Sequence, residues 1–549
     1  NVKNINFVKK IIPKYSLTDG ITEKSYRKII EKVLMNLPEI KEWHDPTFIK
    51  KMNFLDWKSS VIELHQKDIN DRISSTFYRR LAYDEIFSHL LVLLENRKKI
   101  RTIKKKSKIF NNKISNKIIN SLDFNLTESQ NRVINEIQKD LLSETRMFRV
   151  IQGDVGSGKT IVSLLTAANV IESNYQCALM APTEILAKQH YELAKKIFKK
   201  SNVNVAFVVG KTENKDKKEI IKNLKSNKIN LIIGTHSLFQ KKIEFYKLGL
   251  IIVDEQHKFG VKQRIALAEK GGNECDVLLM SATPIPRTMM LTIYGDMDIS
   301  KITEKPKKRK NIITLSKPEE KISELWPFIQ NQIKDKNQIF WVCPLIDESK
   351  ILNYSSATKR FDYIKKKFPK KVGLIHGSLD KEEKEKILND FLNKKIDILV
   401  STTVIEVGID FPNANTIVIE NANKFGLAQL HQLRGRVGRG DKQGICILLF
   451  KGKLSQKAVQ RLKILKSTND GFEISEKDMK LRGHGDIMGF EQSGIKYFKL
   501  ADPVHHEDLF KLCEENIIKF KNNKIDINKY NFLLKLFDKA EVVSKNENG

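Results

Sequence analysis

The chain has 549 residues and carries 98 Lys and Arg against 66 Asp and Glu, for a formal net charge of +32. This length exceeds what one hydrophobic core accommodates, so we expect three or four domains, and the longest apolar runs, such as residues 90–94, are too short to cross a bilayer. The charge is compatible with a nucleic-acid partner. A biased genome would also produce this composition, because Lys far outnumbers Arg and both Asn and Ile are abundant.

The cysteines are few, odd in number and far apart in the sequence. No two of them have C-x-x-C spacing, so the pattern favours neither a zinc site nor a disulfide framework. We therefore expect a protein of the reducing cytoplasm. The first ten residues also lack the apolar core and the cleavage site of a signal peptide.

Residues 1–121 show helical periodicity and contain no catalytic motif. Apolar residues at helical spacing form one stripe that ends at Pro38 and a second stripe at 81–94. We interpret this segment as a helical connector. The Lys-rich blocks at 104–106 and 305–310 are typical of solvated linkers.

From residue 122 onward, short continuous apolar runs alternate with helical stretches. Such runs are typical of strands buried on both faces of a parallel sheet. The sequence predicts an α/β fold with two doubly wound parallel-sheet domains, at 122–305 and 306–455, followed by a small helical C-terminal module at 456–549. A Lys- and Pro-containing break at 301–310 separates the two sets of strands. The predicted strands are 148–151, 178–180, 205–209, 231–233, 250–253 and 277–280, then 339–342, 372–375, 396–400, 416–419 and 445–450.

Residues 153–160 read GDVGSGKT and match the P-loop pattern G-x-x-x-x-G-K-[ST] without a mismatch. A predicted strand precedes the loop and a predicted helix, 161–170, follows it. Backbone N–H groups of such a loop and the helix N-terminus bind phosphate oxygens. Lys159 is expected to reach the β- and γ-phosphates, and the Thr160 hydroxyl is expected to bind Mg²⁺. The nucleotide-binding candidates in the loop are Gly153, Asp154, Val155, Gly156, Ser157, Gly158, Lys159 and Thr160.

An acidic box directly follows the predicted strand 250–253. Asp254 lies at the position where a carboxylate can bind Mg²⁺ beside the P-loop, and Glu255 is placed to polarise the attacking water. Gln256 and His257 can form hydrogen bonds toward the γ-phosphate and the neighbouring domain. The alternative interpretation of this box is an ordinary acidic turn at the surface.

Two arginines in the second α/β domain are candidates for stabilising the charge that develops during hydrolysis. Arg436 and Arg439 lie three residues apart in the run QLRGRVGR, which begins at Gln432. If the two guanidinium groups face the P-loop, they would act as arginine fingers that stabilise this charge. A basic nucleic-acid patch is the alternative, and the two roles can coexist. In the first domain, the small hydroxyl residues Ser281 and Thr283 are suited to exchanging hydrogen bonds when the γ-phosphate leaves.

The order of these motifs resembles that of superfamily 2 helicases, with further matches at 181–184 (APTE), 234–236 (GTH) and 402–410 (TTVIEVGID). Finer matches resemble the RecG family of bacterial DNA translocases. They include GDV at 153–155, VDEQHKFG at 253–260, SATPIPRT at 281–288 and GFEISEKDMK with LRG at 471–483. The resemblance extends from about residue 11 to 510.

The RecG resemblance implies two RecA-like domains that use ATP and Mg²⁺ to move along duplex DNA. It implies action on branched DNA, such as stalled forks and Holliday junctions, in repair and recombination. Gln130, with Phe124 and Thr127, resembles an element that recognises adenine, and Gly408, Asp410 and Gln432 complete the expected ATP-binding set. The residues expected to couple hydrolysis to DNA movement are Thr183, Thr235, Ser281, Thr283, Thr402, Arg482 and Gln492.

The resemblance also implies a monomer in the bacterial cytoplasm, associated with the nucleoid, with single-stranded DNA-binding protein as a candidate partner. The chain is expected to begin after the N-terminal wedge domain of the family. Near the coupling residues it has His484, Phe490 and Glu491 where the family usually has Pro, Thr and Arg. Because Glu491 reverses a charge, we expect weaker coupling of hydrolysis to movement, and Glu491→Arg should raise translocation per ATP.

Three other functions are compatible with parts of this pattern. The transcription-repair coupling factor shares several of the motifs and is also a duplex DNA translocase. An RNA-directed helicase shares the superfamily, although the box at 254–257 and the Gly-rich segment after the arginine motif argue against it. A catalytically idle DNA-binding relic is the third, and the intact P-loop, acidic box and arginines argue against it.

Overall fold

The computed structural model describes residues 15, 17, 20–66, 73–239, 243–255, 272–281, 297–306, 310–344, 350–369, 371–402, 411–438, 440, 442–482, 498–503, 505–521 and 527–539. The chain forms two compact units. The first comprises Asn1–Lys99, Arg287–Asp296 and Arg482–Gly549, and the second comprises Ile100–Pro286 and Met297–Leu481.

The α-helices of the described residues are numbered here in chain order. They are α1 (Glu23–Met35), α2 (Pro46–Lys51), α3 (Trp57–Gln66), α4 (Thr76–Thr102), α5 (Lys113–Asn120), α6 (Glu128–Leu142), α7 (Lys159–Glu172), α8 (Glu184–Phe198), α9 (Asn214–Lys225), α10 (Leu325–Lys334), α11 (Lys350–Lys367), α12 (Lys381–Leu392), α13 (Leu427–Arg434), α14 (Gln456–Ser467), α15 (Gly471–Arg482), α16 (Glu507–Lys521) and α17 (Asn531–Leu536). None of them is long and apolar enough to cross a membrane.

The first unit is helical, and its core is rich in aromatic side chains. A buried carboxylate stabilises it: Asp84 accepts hydrogen bonds from Trp43 Nε1 at 3.1 Å, His44 Nε2 at 2.7 Å and Arg80 Nε at 3.0 Å. These donors compensate the charge for its removal from water. The predicted stripe before Pro38 is helix α1, but only Leu34 of that helix is buried.

The first sheet of the second unit has seven parallel strands in the order β3-β4-β2-β5-β6-β1-β7. Strands β1, β2, β4, β5 and β6 are buried along nearly their whole length, which explains their continuous apolar sequences. The strands are β1 (Phe148–Gly153), β2 (Gln176–Met180), β3 (Val205–Val208), β4 (Leu231–Gly234), β5 (Leu248–Val253), β6 (Asp276–Ser281) and β7 (Asp298–Ile302).

The second sheet has six parallel strands in the order β10-β11-β9-β12-β13-β8. The two parallel sheets confirm the predicted α/β class, with two strands, β7 and β8, that the sequence pattern missed. The strands are β8 (Ile313–Pro318), β9 (Gln338–Val342), β10 (Val372–Ile375), β11 (Ile398–Ser401), β12 (Ala414–Ile419) and β13 (Ile445–Phe450).

The sequence predicts that the lysines between α4 and α5 belong to a solvated linker, but two of them are buried. Lys105 Nζ lies 2.8 Å from Asp276 Oδ2, and Lys108 Nζ lies 2.6 Å from the same oxygen, with all three side chains fully buried. Asp276 begins β6 and also accepts a hydrogen bond from Met147 N at 2.7 Å. Two of the lysines in this basic stretch therefore attach it to the first sheet.

Candidate nucleotide-binding cleft

The predicted nucleotide site lies at the carboxyl edge of the first sheet. There β1 leads into the P-loop and helix α7, and β5 leads into Asp254. Strand β6 separates β1 from β5, and its last residue, Ser281, pairs with Gln152 of β1. A cleft of about 880 Å³ opens at this edge. Its lining includes Gly156, Lys159, Thr160, Asp254 and Glu255 from the first α/β domain and Arg436 and Gly440 from the second.

The P-loop turns sharply before α7, and glycine permits that turn. Gly158 caps the helix with φ = 85°, and a Cβ atom at this position would lie 2.3 Å from Gln130 Nε2. Residues with a side chain rarely adopt that backbone conformation. Lys159 Nζ donates hydrogen bonds to the carbonyl oxygens of Gly153 at 2.7 Å and Asp154 at 3.0 Å. The ammonium group is therefore inside the loop, where a bound phosphate would attract it.

Asp254 is oriented by two hydrogen bonds from its own domain. Its Oδ2 lies 2.8 Å from His190 Nε2, and its Oδ1 accepts the Glu255 N–H at 2.9 Å. Burial alone would raise the pKa of Asp254, but the hydrogen bond and charge of His190 and the charge of Lys159 lower it below its usual value. The carboxylate is thus ionised. Glu255 has φ = 50°, an uncommon conformation for a residue with a side chain.

The donor set of the cleft suits Mg²⁺. Asp254 and Thr160 offer hard oxygen ligands in one cleft. The described residues contain no group of three or more His, Cys, Asp or Glu side chains that could bind a metal ion. Mg²⁺ commonly binds through one or two protein oxygens together with substrate phosphates. Asp254 and Thr160 would provide such a site when a nucleotide is bound.

The second α/β domain reaches the P-loop through helix α13 and the turn that follows it. Arg436, in that turn, is 3% exposed and lines the cleft. His431 of α13 lies 2.8 Å from Asp154, through its Nε2 and the aspartate Oδ1. Lys305 Nζ lies 2.8 Å from the other oxygen, Oδ2. Gln432 is on the same helix and is half-buried.

Gln130 supports the loop from helix α6. Its Oε1 accepts the Thr127 N–H at 2.9 Å in a capping box, and its Nε2 donates to the Ser157 carbonyl at 2.8 Å. The side chain expected to recognise adenine is therefore bonded to the P-loop itself. Phe124, its predicted companion, is 41% exposed.

Several predicted coupling residues lie near the carboxyl ends of strands. Thr235 and Ser281 are buried at the ends of β4 and β6, and Thr402 is buried just after β11. Thr183 caps α8 and accepts the Leu186 N–H at 3.4 Å. Arg482 is the last residue of α15. Outside the described residues lie Gln256, His257, Thr283, Gly408, Asp410, Arg439 and Gln492, and also His484, Phe490 and Glu491.

Three residues of this site were missed by the motif analysis: His190, Lys305 and His431. His190 lies six residues after the APTE match, and His431 directly precedes the arginine motif. Their positions beside known motifs are a weak signal. Histidines that contact aspartates far away in the sequence cannot be recognised by spacing.

Three known sequence families match the chain. They are the DEAD/DEAH box helicase family at residues 127–291, the helicase conserved C-terminal domain at 320–441, and domain 3, C-terminal, of ATP-dependent DNA helicase RecG at 468–539. ATP-dependent DNA helicase RecG of Bacillus subtilis is 42% identical over 504 residues, which cover 90% of this chain and 73% of the relative. The chain belongs to the RecG family.

Another RecG, from Thermotoga maritima, is 42% identical over 524 residues. That match covers 94% of this chain but 66% of the relative, so the chain spans about two thirds of the length of this relative. The solved structure of RecG bound to a three-way DNA junction is 39% identical, with a TM-score of 0.74 over 93% of this chain and 67% of that chain. These matches confirm the RecG resemblance that the motifs indicated.

Proposed function

We propose that this RecG-family chain hydrolyses ATP with Mg²⁺ and uses the energy to move along duplex DNA and remodel branched DNA in repair and recombination. The observation that carries the proposal is the composition of the cleft. Lys159, Thr160, Asp254 and Glu255 of one α/β domain and Arg436 of the other line the same cavity. A phosphoryl-transfer site needs these chemical groups together.

Each side chain has a definite role in this proposal. Lys159 leaves the carbonyls of its own loop and binds the β- and γ-phosphates, while Thr160 and Asp254 hold Mg²⁺. Glu255 orients and polarises the attacking water. Arg436 stabilises the charge on the transferred phosphoryl group, so hydrolysis requires both domains to be docked.

The DNA part of the proposal rests on the family. The three-way junction in the related RecG structure is a branched substrate, and the net charge of +32 suits binding to phosphates. Contacts to the DNA backbone carry no sequence information. Branch shape would therefore determine which DNA is bound, and Thr183, Thr235, Ser281, Thr402 and Arg482 would transmit the nucleotide state to the DNA.

The finer parts of the proposal are assembly and location. We infer a monomer that works in the bacterial cytoplasm at the nucleoid, with single-stranded DNA-binding protein as a partner. The support is membership in a family whose similar members come from bacteria such as Bacillus subtilis and Haemophilus influenzae.

The test is the rate of ATP hydrolysis by the purified chain with forked duplex, linear duplex, single-stranded DNA and RNA, with Lys159→Ala as the inactive control. We expect forked DNA to stimulate hydrolysis most. Equal stimulation by linear duplex would indicate a general duplex translocase instead. Strong stimulation by RNA alone, or no hydrolysis above the Lys159→Ala control, would contradict the proposal.

A further inference from the structure

Asp154 occupies a variable position of the P-loop pattern, but its side chain faces the second α/β domain. Its carboxylate accepts hydrogen bonds from His431 Nε2, Lys305 Nζ and Val155 N, each at 2.8 Å. Val155, Gly156 and Lys159 line the nucleotide cleft, whereas Asp154 is not among the described residues that line it. The geometry does not direct this carboxylate at a phosphate, which it would repel.

Arg434 determines which nitrogen of His431 carries the proton. Its Nη2 lies 2.9 Å from His431 Nδ1, and a guanidinium group has donors only. Nδ1 must therefore accept, and Nε2 carries the hydrogen that is donated to Asp154. Arg434 is itself 1% exposed, and its Nη1 donates to the carbonyls of Leu465 at 2.5 Å and Thr468 at 2.9 Å. The imidazole is thus held in one orientation and one tautomer.

Lys305 provides a second connection between the same regions. The Lys305 ammonium group contacts the Asp154 carboxylate and also donates a hydrogen bond to the Asn469 carbonyl at 2.7 Å. Residues Leu465, Thr468 and Asn469 form the end of α14 and the link to α15. Two chains of contacts therefore join the Asp154 carboxylate to the end of α14 and the link to α15. One runs through Lys305, and the other runs through His431 and Arg434.

The backbones of the two domains also approach closely beside this pair. A Cβ atom at Gly435 would lie 3.1 Å from Val155 Cβ, so a side chain there would crowd the P-loop, and glycine lets the turn after α13 pack closely on it. Gly435 directly precedes Arg436. A contact that fixes His431 and Gly435 against residues 154 and 155 therefore also fixes where the Arg436 guanidinium enters the cleft.

We propose that Asp154, His431, Arg434 and Lys305 form an interdomain clasp that positions Arg436 for hydrolysis. Asp154 then acts in domain docking and not in phosphate binding. The clasp rests on the proposed ATPase activity, because its predicted benefit is a faster chemical step. His431 is a positioning residue: it touches neither the nucleotide nor the reacting water, and it acts through Arg436.

The test separates chemistry from binding. His431→Phe fills the space of the imidazole but removes both hydrogen bonds, whereas His431→Gln offers an acceptor to Arg434 and a donor to Asp154. We expect His431→Phe to lower kcat by on the order of tenfold to a hundredfold, since small misplacements of catalytic groups have effects of this size. The Kd of a non-hydrolysable ATP analogue should stay within about twofold. His431→Gln should restore most of the rate.

A matched control is His506→Phe in the first unit, which also removes a fully buried histidine bonded to the backbone, at Asp502 N. It should leave kcat unchanged. Three results would overturn the clasp: an unchanged kcat in His431→Phe, equal loss in His431→Gln, or loss of analogue binding in His431→Phe.

A measurement without nucleotide distinguishes failure of the clasp from failure of the proposed function. Melting temperatures of Asp154→Ala, His431→Ala and the double variant form a cycle, with Asp154→Asn in place of Asp154→Ala if the latter does not fold. The clasp predicts that the double variant loses less than the sum of the single losses. Additive losses would overturn it. If the parent chain does not hydrolyse ATP, the proposed function fails, and this cycle alone decides whether the clasp exists.

Discussion

His190 and Asp254 form a buried hydrogen bond of 2.8 Å between helix α8 and the end of strand β5. The carboxylate is ionised, so the imidazole Nε2 donates to it. The second carboxylate oxygen accepts the Glu255 N–H. These two donors fix the plane of the carboxylate group, and groups that orient metal ligands in this way affect metal affinity strongly.

Replacing His190 should weaken the use of Mg²⁺ more than the binding of nucleotide. We expect His190→Phe to raise the Mg²⁺ concentration needed for half-maximal ATP hydrolysis by about 10- to 100-fold. Binding of the nucleotide measured without metal should be unaffected. His190→Gln, which can still donate to Asp254, serves as the control. An unchanged Mg²⁺ dependence in His190→Phe would show that the carboxylate is oriented without it.

Glu255 should be essential for hydrolysis but dispensable for ATP binding. Its side chain lines the cleft next to Asp254, where it can polarise the attacking water. Glu255→Gln keeps the shape and removes the base, so we expect hydrolysis to fall by roughly 10²- to 10⁴-fold. Single-turnover hydrolysis and analogue binding check the two parts. Glu219→Gln, an exposed change on α9, is the control, and a comparable loss in that variant would remove the argument for a base at 255.

Every interior strand of the two sheets was predicted from the sequence. Interior strands such as β5 and β12 have both faces covered, so selection for burial leaves uninterrupted apolar runs that the sequence shows directly. The two strands that the pattern missed, β7 and β8, lie at sheet edges. These two strands keep polar and charged residues, as in DISKI and ITLSKP, and so resemble loop sequence, whereas the other two edge strands, β3 and β10, are apolar and were predicted.

The candidate site was predictable only where a motif is local in sequence. The P-loop, Asp254 and Arg436 belong to short runs whose spacing is set by one turn or one strand end. Lys305 lies in a Lys-rich block and was expected to be solvated, yet it bonds to Asp154. Lys105 is a second example, since its partner Asp276 is far away in the chain. Composition gives no information about which lysine meets a distant carboxylate.

Removing the Asp276 carboxylate should lower the free energy of unfolding strongly. It is fully buried against the ammonium groups of Lys105 and Lys108. Asp276→Asn would leave both charges buried without their counterion, so we expect a loss of about 3–5 kcal/mol in the free energy of unfolding. Chemical denaturation measures it.

The matched control for Asp276 is Asp298→Asn. Asp298 pairs with Arg101 at 3.2 Å, but the two side chains are 27% and 54% exposed. An exposed pair of this kind contributes about 0–1 kcal/mol. Equal losses in the two variants would mean that the buried lysines find other partners or lose their protons.

Asp154 should make the stability of the chain depend on pH in acid. Burial alone would raise the pKa of Asp154, but the hydrogen bond from His431 and the charge and hydrogen bond of Lys305 lower it well below the ordinary value of 3.8. In the unfolded chain the group takes up a proton near that ordinary value, whereas in the folded chain it stays ionised. Its stabilisation is therefore complete above about pH 4 to 5 and is lost as the pH falls further.

The comparison of the parent chain with Asp154→Asn isolates this effect, because the amide does not titrate. We expect the difference in free energy of unfolding to be constant between about pH 5 and 8 and to shrink progressively below about pH 4. Chemical denaturation at a series of pH values measures the difference. A difference that stays constant, or grows, in the acid range would show that the Asp154 carboxylate is not held ionised by His431 and Lys305.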